Sequence, residues 1–165
     1  MPKLVLIIRH AEKPAVEDIH LAPKGYQRAG ALSALFDSTR NGGVYPAIDA
    51  LFATARTSES HRPVLTLKPL ARELALAIDD RYADDDYAAL AAELLGKKYD
   101  GKVVLVSWHH GRIPALAAAL KATDAPAKWP DDRFDLIWRL DYDGVAAPKF
   151  QVLPQLLLYG DKPSG

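Results

Sequence analysis

The amino-acid sequence predicts one α/β domain over residues 1–165, a three-layer sandwich whose mostly parallel central sheet is flanked by helices. The length is that of one domain with a substantial core, and 49% of the residues are hydrophobic. Short apolar runs alternate with segments of helical spacing. Two of these runs, residues 3–8 and 102–108, contain few polar residues. Such runs indicate strands covered on both faces, as in a parallel sheet.

The first predicted strand, residues 3–8, ends abruptly in the cationic pair Arg9 and His10. Pro14 follows shortly and prevents simple continuation of the strand. In open α/β sheets, ligands usually bind at the edge where the carboxyl ends of the strands lie. We therefore expect Arg9 and His10 to lie at a functional site.

The next segments continue the alternation of helices and strands. Residues 21–36 predict a helix, because Pro23 suits its first turn and leucines recur at helical spacing. A strand at residues 48–53 comes next and is followed by a polar turn. Pro63 marks the start of another helix, which Pro69 is expected to kink or end.

The second half of the chain begins with a weak strand at residues 74–78 and the acidic stretch 79–86. An Ala/Leu-rich helix is expected after the acidic stretch, ending at about Leu95. The apolar strand 102–108 and a helix at residues 115–121 complete the alternating pattern.

Two late strands are predicted at residues 134–143 and 150–158. The dipeptide Asp143-Gly144 is typical of a hairpin turn between them. Pro154 cannot donate a backbone hydrogen bond, so it favours an edge position for the last strand.

The composition excludes several classes of function. Lys plus Arg and Asp plus Glu number 21 each, so no overall field attracts nucleic acid or an anionic membrane. The absence of cysteine excludes disulfides, thiol catalysis and thiolate metal sites. No apolar run approaches the roughly 18 residues of a membrane span, and the first residues lack the features of a signal peptide. We expect a cytoplasmic protein that binds neither nucleic acid nor a membrane.

The pair Arg9 and His10 has the chemistry for phosphoryl transfer. A neutral imidazole can attack phosphorus, and the ordinary histidine pKa of about 6.5 leaves it largely neutral at physiological pH. A guanidinium offers a fork of donors that matches phosphate oxygens, so Arg9 would orient the group that His10 attacks. Taken alone, the pair is equally consistent with a strand end that has no role, and its partners must decide.

His109 repeats this arrangement, because it directly follows the second buried strand. Pro114 suits the first turn of the next helix and places Gly111 near a helix amino terminus, where free amides attract anions. Arg62 lies at a third junction between a strand and a helix, and Arg56, nearer the strand, competes with it. The three junctions together predict a phosphate site at one edge of the sheet.

These segments, in this order, resemble the histidine phosphatase superfamily, also called the phosphoglycerate mutase-like family. Residues 9–12 are similar to its Arg-His-Gly-Glu signature, and residues 21–29 to its first-helix pattern. Residues 62–66 resemble its Arg-Ala-x-x-Thr segment, which favours Arg62 over Arg56. Residues 108–114 resemble its Gly-His-Ser-Asn-x-x-Pro segment, so the second histidine of the family corresponds to His109.

The sequence departs from the family pattern at a few positions. Ala11 replaces a glycine and Pro63 replaces an alanine. Trp108 stands where a small residue is usual, and His110 and Gly111 replace a polar pair. These changes affect the shape of the pocket, whereas the correspondence of His10, His109 and the two arginines survives them.

The resemblance implies a phosphoglycerate mutase-like fold and a metal-independent phosphatase without a cofactor. In that reading His10 is the nucleophile and becomes a phosphohistidine, while Arg9, Arg62 and His109 hold the phosphoryl oxygens. Gly111 would contribute to substrate binding. The expected partners are a phosphorylated small molecule or a phosphoprotein, phosphohistidine included, and inorganic phosphate or a similar anion in the pocket.

The resemblance also implies a carboxylic acid that protonates the leaving oxygen, located after the third strand. Asp80 is the first choice, and Asp79 and Asp84 are alternatives because the acidic stretch does not align securely. Asp84 and its neighbours also suit a structural role, since carboxylates cap and stabilise the start of a helix. No catalytic role is assigned to Glu12.

Three other functions remain open at this point. A mutase would use the same phosphohistidine chemistry but needs more structure to retain its intermediate. A phosphate-binding protein would keep the pocket without turnover. A metal site is the third alternative and would draw on aspartates and the four histidines His10, His61, His109 and His110. It lacks a recognised ligand spacing, and adjacent histidines after a strand tend to point in opposite directions.

Overall fold

Six strands form one mixed sheet in the computed structural model, which describes residues 1–164. They are β1 (Leu4–Arg9), β2 (Ala50–Ala53), β3 (Ile78–Asp79), β4 (Val103–Trp108), β5 (Leu136–Asp141) and β6 (Lys149–Pro154). Their order across the sheet is β3-β2-β4-β1-β5-β6. The first four strands in this order run parallel to one another. β5 pairs antiparallel with β1, and β6 pairs antiparallel with β5. The predicted mostly parallel sheet is confirmed.

Helices cover both faces of the sheet. They are α1 (Pro23–Ala31), α2 (Ser33–Phe36), α3 (Arg62–Leu74), α4 (Tyr87–Leu94) and α5 (Ile113–Ala119), with short 3-10 helices at Asp84–Asp86 and Lys97–Tyr99. Alternate residues of the fully buried β1 enter two cores. Val5 and Ile7 share one core with α4 and α5, whereas Leu4, Leu6 and Ile8 share the other with α2 and α3. The three-layer prediction is confirmed.

None of the helices in residues 1–164 combines the length and the apolar character that crossing a membrane requires.

The end of α3 differs from the sequence-based expectation. Pro69 does not end the helix, which continues to Leu74 and stops where Ala75 adopts a left-handed conformation with φ 53°. The buried side chains of Leu67 and Leu70 on either side of the proline hold the helix against the sheet. The strand expected from residue 74 was therefore wrong in extent, because only residues 78 and 79 pair with β2.

The late hairpin forms as predicted. β5 and β6 pair antiparallel, and β6 lies at the edge of the sheet with Pro154 as its last residue. Asp143 and Gly144 both have positive φ, 36° and 76°. A positive φ at Gly144 carries little steric cost, which explains a glycine in this connection.

Candidate active site

The register of β1 and β4 sets the two histidines side by side. Arg9 pairs with Trp108 across these parallel strands, so His10 and His109 leave the same edge of the sheet as neighbours. Their ring centroids are 5.2 Å apart and the rings meet edge to face at 70°. The Phe134 ring lies 6.1 Å from His10, centroid to centroid. Two histidines 99 positions apart in sequence thus share one site because their strands are adjacent.

His10 is held in one tautomer by the main chain. Its Nδ1 lies 2.7 Å from the carbonyl oxygen of Ala11. A carbonyl oxygen only accepts, so Nδ1 carries the hydrogen and Nε2 keeps its lone pair. His10 is only 3% exposed, and this burial holds its pKa well below 6.5. Nearby His109, Arg9 and Arg62 lower the pKa further, against the opposing effect of the Ala11 hydrogen bond.

The Arg9 side chain is fixed by a loop from the other end of the chain. Its Nη1 donates to the carbonyl oxygens of Asp131, at 2.7 Å, and Arg133, at 3.3 Å. The guanidinium carbon stacks 3.8 Å from the centroid of the Phe134 ring. Burial lowers the pKa of Arg9 to about 10, so the group still carries its charge at neutral pH. Its buried Nε has no protein partner among the described residues.

Arg62 begins α3 and connects this helix to the loop after His10. The Thr66 hydroxyl donates to the Arg62 carbonyl oxygen and accepts from the Ala11 amide, both at 2.8 Å. The Arg62 guanidinium donates to the carbonyl oxygen of Asp18. Burial lowers the pKa of Arg62, and nearby Asp18 opposes this effect. Helix α3 is therefore tied to the loop that carries the His10 tautomer bond.

A cleft of about 700 Å³ opens at this edge of the sheet. Its cationic residues are Arg9, Lys13 and Arg62, and its acidic residues are Glu17, Asp18, Glu59 and Asp131. Pro14, Ala15, Val16, His110 and Phe134 complete the lining. The His10 and His109 rings are not part of this lining, in keeping with the burial of His10. The guanidinium groups of Arg9 and Arg62 thus line the same cleft, together with several acidic side chains.

Arg56, the competing arginine, points elsewhere. Its Nε pairs with Asp80 at 2.9 Å, and 59% of its side chain is exposed. Neither Arg56 nor Asp80 lines the cleft. Asp79 similarly pairs with Arg81, at 3.0 Å. Asp80 as the general acid therefore stays a prediction, and the structure places its carboxylate in an ion pair with Arg56.

Asp84 is the acid with the most unusual surroundings. Its Oδ1 is buried without a hydrogen-bond partner, and burial raises its pKa to about 6. The charges that act on it are Arg112 and Asp85. The indole of Trp108 donates to the Asp84 carbonyl oxygen at 3.2 Å. Trp108, which replaces a small residue of the family pattern, thus holds the acidic segment against the sheet.

Gly111 lies in the turn before α5, beside a separate pocket of about 100 Å³. The amides of Arg112 and Ile113 donate to the His109 carbonyl oxygen at 3.0 and 3.2 Å, and Pro114 has no amide hydrogen. These amides are therefore occupied within the turn. Substrate binding by Gly111 stays a prediction.

Glu12 is part of a buried ion network. Arg28, 2% exposed, pairs with Glu12 and Asp161, both at 2.8 Å, and donates to Gln155 at 3.0 Å. Burial would lower the pKa of Arg28, but the bonds to Asp161 and Glu12 outweigh it and raise this pKa. The network joins the loop after His10 to α1 and to the C-terminal segment.

Sequence reasoning missed three features of the site. Phe134 stacks on Arg9, two loop carbonyl oxygens hold Arg9, and Asp131 lies 3.5 Å from Nε2 of His110. All three involve residues 131–134, which carry no motif and are more than 120 positions from Arg9. Residues 1–164 contain no cluster of three or more histidines and acidic residues arranged to hold a metal ion.

Comparison with known proteins found relatives in structure alone. No protein-family model matches the sequence, and neither does any curated protein. The structure matches the protein histidine phosphatase SixA complexed with tungstate, with a TM-score of 0.65, 15% identity and coverage of 92% of this chain and 97% of that chain. It matches the alpha-ribazole phosphatase from Shigella flexneri with a TM-score of 0.60, 13% identity and coverage of 92% and 96%.

A third match is the phosphoserine phosphatase from Entamoeba histolytica in complex with 3-phosphoglyceric acid. Its TM-score is 0.58, with 13% identity and coverage of 90% of this chain and 94% of that chain. These neighbours are members of the histidine phosphatase superfamily. The chain has the phosphoglycerate mutase-like fold of that superfamily, which confirms the fold implied by the sequence motifs. Of the three, the protein histidine phosphatase SixA has the highest TM-score.

Proposed function

We propose that this protein is a metal-independent phosphatase that hydrolyses phosphate monoesters, or phosphohistidine in a protein, through a phosphohistidine intermediate on His10. The observation that carries the proposal is the tautomer of His10. The bond from Nδ1 to the Ala11 carbonyl oxygen leaves the lone pair on Nε2, beside the His109 ring and two guanidinium groups. This is the state in which an imidazole attacks phosphorus.

In the first step, Nε2 of His10 forms a bond to phosphorus while the bond from phosphorus to the leaving oxygen breaks. The lowered pKa keeps His10 neutral at physiological pH, so no proton has to leave before attack. The nearby charges of Arg9 and Arg62 stabilise the negative charge on the phosphoryl oxygens as the displacement proceeds. Because Arg9 is held by main-chain carbonyls and Phe134, little reorganisation accompanies this step.

His109 contributes as a neutral hydrogen-bonding group. Burial lowers its pKa to about 4, and Arg62, His110 and Arg9 act in the same direction. At neutral pH the ring is therefore uncharged and offers one donor to a phosphoryl oxygen. In the second step, water attacks phosphorus and the bond to Nε2 breaks, which returns neutral His10 and releases inorganic phosphate.

The test compares wild type with His10→Ala in the hydrolysis of p-nitrophenyl phosphate in the presence of a chelator. We expect the wild-type protein to remain active in the presence of the chelator. The activity of His10→Ala should be lower by a factor of about 10³ or more, as is typical when a catalytic nucleophile is removed. His20→Gln is the matched control, because His20 is an exposed loop histidine with 53% of its side chain accessible. It is expected to keep wild-type activity.

Rapid quenching in alkali, after mixing with a substrate radiolabelled in its phosphoryl group, tests the intermediate. A base-stable, acid-labile phosphoenzyme in wild type and none in His10→Ala is the expected result. Hydrolysis without such a species, or activity preserved in His10→Ala, contradicts the mechanism. Binding of phosphate or vanadate without hydrolysis of any ester or phosphohistidine peptide supports a phosphate-binding protein instead.

A further inference from the structure

The proposed mechanism needs a proton for the leaving oxygen, and none of the three acidic residues suggested by the sequence, Asp79, Asp80 and Asp84, lines the cleft. Asp79 and Asp80 are engaged with Arg81 and Arg56. The charges acting on Asp84 are Arg112 and Asp85, whereas those acting on His109 are Arg62, His110 and Arg9. Asp84 and the second histidine therefore have different charged neighbours.

His110 belongs to the phosphate cleft by position. It directly follows His109 in the turn between β4 and α5, and it lines the same cleft as Arg9 and Arg62. About a third of its side chain, 32%, is exposed, so a substrate and water can both reach the ring. His110 is the only histidine among the described residues that line this cleft.

Asp131 faces His110 across the cleft. Its Oδ1 lies 3.5 Å from Nε2 of His110, within ion-pair distance but longer than an ordinary hydrogen bond. The other carboxylate oxygen pairs with Lys128 at 2.9 Å. The Asp131 carbonyl oxygen accepts from Nη1 of Arg9 at 2.7 Å, so the residue that faces His110 also holds the phosphate-binding arginine.

We infer that His110, oriented by Asp131, is the general acid that protonates the leaving oxygen in this chain. This inference rests on the proposed function and assigns to a histidine the role that sequence reasoning gave to an aspartate. The geometric basis is the pairing of a cleft histidine with a carboxylate that is itself anchored to Arg9.

The proton balance closes over one turnover. Protonated His110 directs Nε2–H toward Asp131, which leaves Nδ1–H for the leaving oxygen. As His10 bonds to phosphorus, the bond to the leaving oxygen breaks, its electron pair stays on that oxygen, and the proton of His110 is transferred to it. Neutral His110 then accepts a proton from the attacking water. The bond from phosphorus to His10 breaks, and both histidines return to their starting states.

The electrostatics place this cycle at mildly acidic pH. The titratable and charged groups that face His110 are Arg9, Lys13, His109, Lys128 and Asp131. Burial lowers the pKa of His110, Arg9 and Lys13 add to the decrease, and Asp131 opposes it. The pKa of His10 is lowered further, well below 6.5, by its greater burial. Neutral His10 and protonated His110 therefore coexist below the ordinary histidine pKa.

A comparison of leaving groups tests the inference. Phenyl phosphate has a poor leaving group that needs a proton, whereas p-nitrophenol leaves with little assistance. We expect His110→Gln to lower kcat/KM, which reports the phosphorylation step, by about 100-fold for phenyl phosphate, the typical contribution of a general acid, and by only about tenfold for p-nitrophenyl phosphate. A role confined to binding or folding predicts equal losses for the two substrates, and that result overturns the inference.

The variant Asp131→Asn provides a second readout that does not depend on removing His110. Loss of the carboxylate charge lowers the pKa of His110, so the alkaline limb of the pH profile of kcat/KM moves to lower pH. An unmoved limb overturns the inference. The inference is also overturned if Asp80→Asn or Asp84→Asn loses activity specifically toward phenyl phosphate while His110→Gln loses activity equally toward both substrates.

The two proposals fail in different ways. Activity that survives His10→Ala overturns the proposed function, and with it the role of His110. Activity that requires His10 while His110→Gln shows no dependence on the leaving group overturns the role of His110 and leaves the phosphohistidine mechanism standing.

Discussion

The guanidinium of Arg9 stacks on the Phe134 ring, with 3.8 Å between the guanidinium carbon and the ring centroid. Two carbonyl oxygens of the same loop bind one arm of the group. The orientation of a cation at the end of the first strand is thus set by a loop that precedes the fifth strand. We therefore expect changes in this loop to affect the proposed activity without altering any residue of the sequence motifs.

Substitution of the stacked ring is expected to weaken phosphate recognition. Phe134→Leu removes a cation–π contact worth about 1–2 kcal/mol at a desolvated site, so kcat/KM should fall by about 5- to 30-fold. Phe134→Tyr keeps the aromatic face and should retain most of the activity. Steady-state kinetics with p-nitrophenyl phosphate checks both variants, and equal activity in Phe134→Leu and wild type would show that stacking does not position Arg9.

The buried network around Arg28 is expected to be critical for stability. Arg28→Met leaves Glu12 and Asp161 buried without their common partner, which should lower the free energy of unfolding by about 3–5 kcal/mol. The control is Arg40→Met, because the ion pair of Arg40 and Glu73 is 56% and 40% exposed. That change should cost less than about 1 kcal/mol. Urea unfolding measures both, and similar losses would contradict the role of burial.

Two glycines of α1 offer a matched pair of substitutions. A Cβ at Gly25 would clash with the backbone oxygen of Glu12, whereas a Cβ at Gly30 has no atom within 4 Å beyond its own helix. Gly30→Ala should stabilise the protein by about 0.5–1 kcal/mol through helix propensity. Gly25→Ala should destabilise it by about 1–3 kcal/mol, as overpacking does. Thermal unfolding measures whether the two substitutions change the stability in opposite directions. Stabilisation by both would show that the loop after His10 can move to accommodate the added Cβ at Gly25.

The acid limb of the activity profile should lie far below the ordinary histidine pKa. Protonation removes the lone pair of His10, so kcat/KM falls only when the pH falls through its lowered pKa. His109, with a pKa of about 4, gains a proton in the acidic range as well. We therefore expect kcat/KM to show no fall on the acid side at the ordinary histidine pKa of about 6.5. A half-maximal rate near pH 6.5 on the acid side would show that burial does not shift His10.

Local patterns in the sequence were sufficient to predict the sheet, the three layers and the histidines at its edge. The apolar runs at residues 3–8 and 102–108 have one stable environment, the centre of a covered sheet, and both form buried parallel strands. Polar residues that directly follow two parallel strands lie at the same edge of the sheet, and the adjacency of β1 and β4 then makes them neighbours. The juxtaposition of His10 and His109 is a consequence of that register.

Tertiary packing decided the rest, because it depends on pairs of residues that are distant in the chain. Pro69 stays within a helix because buried leucines on both sides hold it against the sheet, an effect that outweighs local propensity. Loop 131–135 carries no motif, yet it fixes Arg9 and faces His110. The sequence by itself thus determined the fold and the two histidines at its edge. Only the folded chain decided what surrounds them, since long-range contacts have no local periodicity to reveal them.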